Sequence, residues 1–159
     1  MQELLSQRDI HWINHKIGAS NITVGGYGCA LTCASMTSAE FGGFKDPAFF
    51  AKQKPMFTKD GLILWKEIVK YVPCMRFEWR QYGYSAQTIA NYLVYGKKAT
   101  QVEVMINPKT NMRHWLKVVS IVKMKNGIDY LCSNPINGKR CYVFATYGKI
   151  TGSAHFVKA

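Results

Sequence analysis

The stretch Gly25-Gly26-Tyr27-Gly28-Cys29-Ala30-Leu31-Thr32-Cys33-Ala34-Ser35-Met36 decides how the chain is read: three glycines run into a cysteine, and the cysteine opens a helix. Small and apolar residues recur at spacings of three and four through residues 29–41, and Gly42-Gly43 ends the pattern. A thiol at the first turn of a helix faces N–H groups that lack intrahelical partners and the positive end of the macrodipole, and both favour the thiolate. The glycines let backbone and substrate approach closely. Cys29 is therefore the candidate nucleophile. Cys33 lies one turn further on and points along the same side, but its place inside the helix favours packing over reactivity.

Working outward from this helix, the two halves of the chain read differently. The helical character extends to about Lys98. Asp46-Pro47 reads as an N-cap with proline in the first turn, opening a short helix through Lys52. Asp60 is expected to cap a helix whose Leu62, Trp65, Val69 and Val72 form one face before Pro73 stops it, and Ser85 one that carries Ile89 and Leu93 to Gly96. After Thr100 the period becomes two, through VEVMI (102–106), HWLKVVSIV (114–122), IDYLC (128–132) and RCYVF (140–144), with Asn126-Gly127 where a tight hairpin is needed. Helices followed by an antiparallel sheet make an α+β domain, and with no repeat, low-complexity run or linker to divide it, residues 1–159 read as one domain.

A thiol nucleophile needs a base. Of the four histidines, only His114 opens a strand pattern, with Leu116 and Val118 following on its own face; His11 and His15 lie in a polar N-terminal stretch and His155 in the last strand. The residue that orients an imidazole should accept its hydrogen bond. Asn134, before Pro135 at the end of IDYLC, is placed for this, because counting back from the Asn126-Gly127 turn brings the start of one strand opposite the end of the other. Asp129 is an alternative, but it lies early in its strand.

Composition narrows the class. With 48% hydrophobic and 19% charged residues in 159, the chain belongs with globular rather than disordered proteins. No apolar run approaches the roughly 18 residues that span a bilayer, and MQELLSQRD lacks the order of a secretion signal, so a soluble protein made in the cytoplasm is expected. Five irregularly spaced cysteines suit free thiols better than a disulfide framework, and no paired ligand spacing suggests zinc. The charge of +12 draws in polyanions: teichoic acid and other wall polymers, an acidic membrane face or nucleic acid. The basic residues are scattered in ones and twos without an aromatic ladder, which argues against a dedicated nucleic-acid binder. Nothing in the sequence sets an oligomeric state.

Taken in order, SQRDIHW (6–12), IGASNITVGGYGCALTCASM (17–36), HWLKVV (114–119) and SNPINGK (133–139) resemble the bacteriocin-processing, or double-glycine, peptidase-like branch of the papain-like cysteine peptidases, which includes bacterial and phage members. The resemblance implies a papain-like fold, the nucleophile helix of the N-terminal half packed on a C-terminal antiparallel sheet. It also implies a Cys-His-Asn site of Cys29, His114 and Asn134, with Gln7 in the oxyanion hole. Many members carry Asp where this chain has Asn134; an amide still orients the imidazole. No metal or organic cofactor is implied. The expected activity is hydrolysis of an amide bond, in a bacterial cell-wall peptide for a lysin or virion component, with release to the wall or incorporation in a phage particle. A leader-peptide protease and a catalytically idle structural or binding module of a phage particle are the alternatives.

Overall fold

The glycine run and the helix after it form α1 (Val24–Tyr27) and α2 (Cys29–Glu40), separated by Gly28 alone. Gly28 cannot be replaced without a shift, because an added Cβ would lie 2.5 Å from the Val24 carbonyl oxygen. The computed structural model describes residues 4–159. Asp46 caps α3 (Pro47–Ala51), accepting from the Phe49 N–H at 2.7 Å with Pro47 in the first turn, as the sequence predicts.

The structure departs from the sequence reading at four places, the first two of them between Asp60 and Tyr82. Asp60 caps no helix: Thr58 Oγ1 accepts from the Leu62 N–H at 3.1 Å, Gly61 turns at φ +88°, and Leu62 is exposed. Helical structure begins only with a 3-10 turn, Trp65–Glu67, that runs into α4 (Ile68–Tyr71), and Ile68 and Val72 are the buried residues. The second departure is β1 (Met75–Tyr82), a strand inside the half read as helical. Its apolar Met75 and Phe77 alternate with Arg76 and Glu78, a period-two signal.

Ser85 caps α5 (Ala86–Asn91) by accepting from the Thr88 N–H, and this helix ends before Leu93. Strands β2 (Lys98–Asn107), β3 (Met112–Met124), β4 (Gly127–Asn134) and β5 (Lys139–Tyr142) follow. RCYVF splits at Tyr142, because Val143 and Phe144 open α6 (Val143–Tyr147); β6 (Gly152–Lys158) closes the chain. The fold is α+β, with one antiparallel six-stranded sheet in the order β1-β6-β2-β3-β4-β5.

Each face of the sheet carries its own core. On one side α2, α3 and α4 pack with Phe41, Phe50, Ile68, Met75 and Phe156; on the other, Ile89 of α5 and Val143 of α6 meet Val102, Val104, Leu116, Val118 and Tyr130. Among the described residues no helix is long and apolar enough to cross a membrane.

Candidate active site

His114 and Asn134 meet because β3 carries one extra residue. Near the turn β3 and β4 pair as Met124↔Gly127 and Lys123↔Ile128, but beyond a bulge between Val118 and Ser120 the pairs become Val118↔Cys132 and Lys117↔Ser133. Carried straight through, the first register would set Asn134 opposite Lys117 and leave His114 on the other face. The bulge moves Asn134 one step along, to the face that His114 shares with Leu116 and Val118. His114 Nε2 and Asn134 Oδ1 are 2.8 Å apart, and both side chains are buried.

The amide has further partners that fix its sense. Asn134 Oδ1 also accepts from the Ile136 N–H at 3.1 Å, and Nδ2 donates to the Tyr147 hydroxyl at 2.8 Å. An accepting Oδ1 requires that His114 Nε2 carry the ring proton, which leaves Nδ1 as the basic nitrogen. Burial lowers the His114 pKa below its usual value of 6.5; the Asn134 hydrogen bond opposes this and the Arg8 charge adds to it.

Helix α2 is set against β3 at the residue after His114. The N–H and C=O of one strand residue point the same way, and α2 takes up both groups of Trp115. Cys33 Sγ donates to the carbonyl at 3.5 Å, while the N–H lies against the Cys29 sulfur. Further along, Lys117 Nζ pairs with Glu40 Oε1 at 2.6 Å, wholly inside the protein. Cys29 thus stands at the helix start beside the strand that carries His114. Burial pushes its thiol pKa up, the N–H groups of Trp115, Ala30 and Cys29 itself pull it down, and the Glu103 carboxylate adds to the rise. The sequence predicts a thiol acidified by the helix end; burial opposes that effect. Cys33 is fully buried and its thiol is pushed well above its usual range by burial first.

Gln7 is buried against the glycine run. Its backbone N–H donates to the Pro135 carbonyl at 2.7 Å, tying it to the turn after Asn134, and its Nε2 donates to the Gly25 carbonyl at 3.2 Å. Gly25 admits no side chain, since a Cβ there would meet Ile13 Cγ1 at 2.4 Å. Both Gly25 and Gly28 are therefore required by contacts of the chain with itself. Gln7 Oε1 is buried without a partner.

Asp129 stands elsewhere. It pairs with Val122, toward the turn, and its carboxylate accepts from the N–H groups of Tyr130, Phe144 and Ala145 at 2.7, 2.9 and 3.1 Å. It therefore caps α6, the helix whose last residue is Tyr147. Sequence reasoning missed Tyr147, because its helix begins inside RCYVF (140–144), a segment read as strand.

A cleft of about 350 Å³ opens beside Cys29, with apolar walls from Ile17, Ile22, Phe57 and Trp115 and a polar edge of Glu103 and Arg113. Glu103 is held by Arg113 at 2.8 Å and Arg80 at 3.3 Å. Of the other histidines, His11 pairs with Asp9 at the surface, and His155 is buried between Thr100 and Ser153. All five cysteines are free thiols, and among the described residues no group of His, Cys, Asp and Glu is placed to hold a metal. No family model matches the sequence, and no curated protein matches it.

Proposed function

We propose that the chain is a papain-like thiol hydrolase of peptide or amide bonds, with Cys29 as nucleophile, His114 as base, Asn134 as its orienting partner and Gln7 at the oxyanion. The observation that carries this reading is the 2.8 Å contact of Asn134 Oδ1 with His114 Nε2, next to the strand residue against which the Cys29 helix end is set. With Nε2 protonated, His114 Nδ1 takes the Cys29 proton as the sulfur attacks the amide carbonyl carbon. The carbonyl oxygen becomes an oxyanion, which the Cys29 N–H and the second Nε2 hydrogen of Gln7 stabilise. His114 then gives its proton to the leaving nitrogen, the C–N bond breaks and a thioester remains. Water, deprotonated by the same nitrogen, releases the acid and restores the thiol.

A bacterial cell-wall peptide is the proposed substrate, with the charge of +12 holding the protein on wall polyanions in the setting of a lysin or phage particle. The apolar walls of the cleft favour a second reading, a peptidase acting on chains with a bulky apolar side chain near the scissile bond. Assays on purified walls and on a mixture of unstructured peptides separate the two. In whichever assay shows turnover, Cys29→Ala and His114→Ala should each abolish it with the fold retained, whereas Asn134→Ala should leave measurable activity. Turnover that survives Cys29→Ala would remove the thiol mechanism.

A further inference from the structure

We propose that Tyr147 is a positioning residue, holding the Asn134 amide in the plane where Oδ1 meets the Nε2–H of His114. This rests on the thiol-hydrolase reading of the site. A side-chain amide turns about a soft torsion, so an orienting asparagine needs something to fix its plane. The Asn134 carbonyl end is fixed locally, by the Ile136 N–H two residues along. The NH2 end depends on a separate element: Nδ2 donates to the Tyr147 hydroxyl at 2.8 Å, and its other contact, Cys141 Sγ at 3.9 Å, is a weak acceptor. Because Asn134 is buried, loss of the hydroxyl would leave that donor with little to satisfy it, and the amide would turn away from its place to find a partner.

The remaining contacts of Tyr147 fit the same role. Its ring centroid lies 6.0 Å from that of His114, which places the ring beside the buried imidazole-amide contact. Its height in the site is set by α6, whose first turn is tied down by the Asp129 carboxylate through the N–H groups of Phe144 and Ala145. Gly148, at φ +88°, ends the helix directly after the tyrosine. A line of named contacts thus runs from Asp129 through α6 and Tyr147 to Asn134 and His114.

The test is Tyr147→Phe, which keeps the ring and removes only the hydroxyl. In the wild type, ¹⁵N spectra of the His114 ring should show the Nε2–H tautomer; in Tyr147→Phe the Nδ1–H tautomer should rise, and kcat/KM should fall about tenfold, the scale expected when an orienting group is loosened rather than lost. Because Tyr147 acts through Asn134, Tyr147→Phe should add less than about threefold when placed on Asn134→Ala. A purely structural tyrosine would lower stability, cost the same on both backgrounds and leave the tautomer unmoved; that result overturns the proposal, as does a wild-type ring in the Nδ1–H form. If the wild type hydrolyses nothing, the hydrolase reading fails, while the ring spectra of the wild type and Tyr147→Phe still decide the role of Tyr147.

Discussion

The Cys29 thiol lies between opposing influences. The helix start and the N–H groups of Trp115 and Ala30 favour the thiolate, whereas burial and the Glu103 charge favour the thiol, and burial is the largest. His114 is also pushed toward its neutral form by burial. Burial thus favours the uncharged form of both groups, and on the proposed mechanism the proton leaves the thiol only as substrate is attacked. Two measurements follow from the signs. Alkylation by iodoacetamide should reach Cys29 before Cys33 and Cys132, which are fully buried, and its rate should climb steadily with pH between about 6 and 9, because the thiolate is the reacting form. A fast rate independent of pH over that range would mean a preformed ion pair. The acid limb of kcat/KM should lie below pH 6.5, since His114 must be neutral to accept a proton and its pKa is lowered from 6.5. Asn134→Ala should move that limb lower still, because the Asn134 hydrogen bond raises the His114 pKa.

At the level of elements, local chemistry was readable where a side chain acts on its own neighbours. Asp46 and Ser85 cap the helices expected of them, and the run from Cys29 is helical to Glu40. Elements set by partners distant in sequence were not readable. β1 takes its place by pairing with β6, at the other end of the chain, and α6 begins where the Asp129 carboxylate collects its first N–H groups. The bulge at residues 118–120 is the sharpest case, since hairpin counting brings His114 near Asn134 but only the extra residue sets them on one face. The β2–β6 pairing carries a test of its own. His155 of β6 is fully buried, with Thr100 of β2 at 2.9 Å and Ser153 at 2.8 Å, and burial, then the Arg80 charge, lower its pKa from 6.5 to about 4. The unfolded chain therefore binds this proton more readily than the folded one. The contribution of the neutral ring is complete above pH 6.5 and is lost as pH falls toward 4, a change of roughly 3 kcal/mol for this group. Unfolding free energy from denaturant titrations should fall across that window, and His155→Gln should flatten the fall; equal slopes in both proteins would place the proton elsewhere.

For the whole molecule, the fold makes the surface more basic than the composition suggests. Of nine acidic residues, Glu40, Glu103 and Asp129 have buried side chains, where they hold Lys117, the Arg80 and Arg113 pair and the start of α6. Much of the basic charge stays outside: Lys97 and Lys98 at the start of β2, Lys123 and Lys125 at the β3–β4 turn, and Lys139 and Arg140 on β5 are all exposed. Such charges act over a distance that salt sets, about 8 Å at physiological ionic strength, whereas attack by Cys29 depends on contacts of a few ångströms. On the proposed function, wall binding and hydrolysis should therefore separate under salt. Binding to purified Gram-positive walls should fall steeply between about 20 and 300 mM salt, while turnover of a short uncharged peptide changes less than about twofold, because only the first relies on screened charges. Lys123→Glu with Lys125→Glu, far along β3 from His114, should weaken wall binding and leave peptide turnover unchanged. A protein that ignored walls at every salt concentration but bound DNA with a steep salt slope would tie the basic surface to nucleic acid instead.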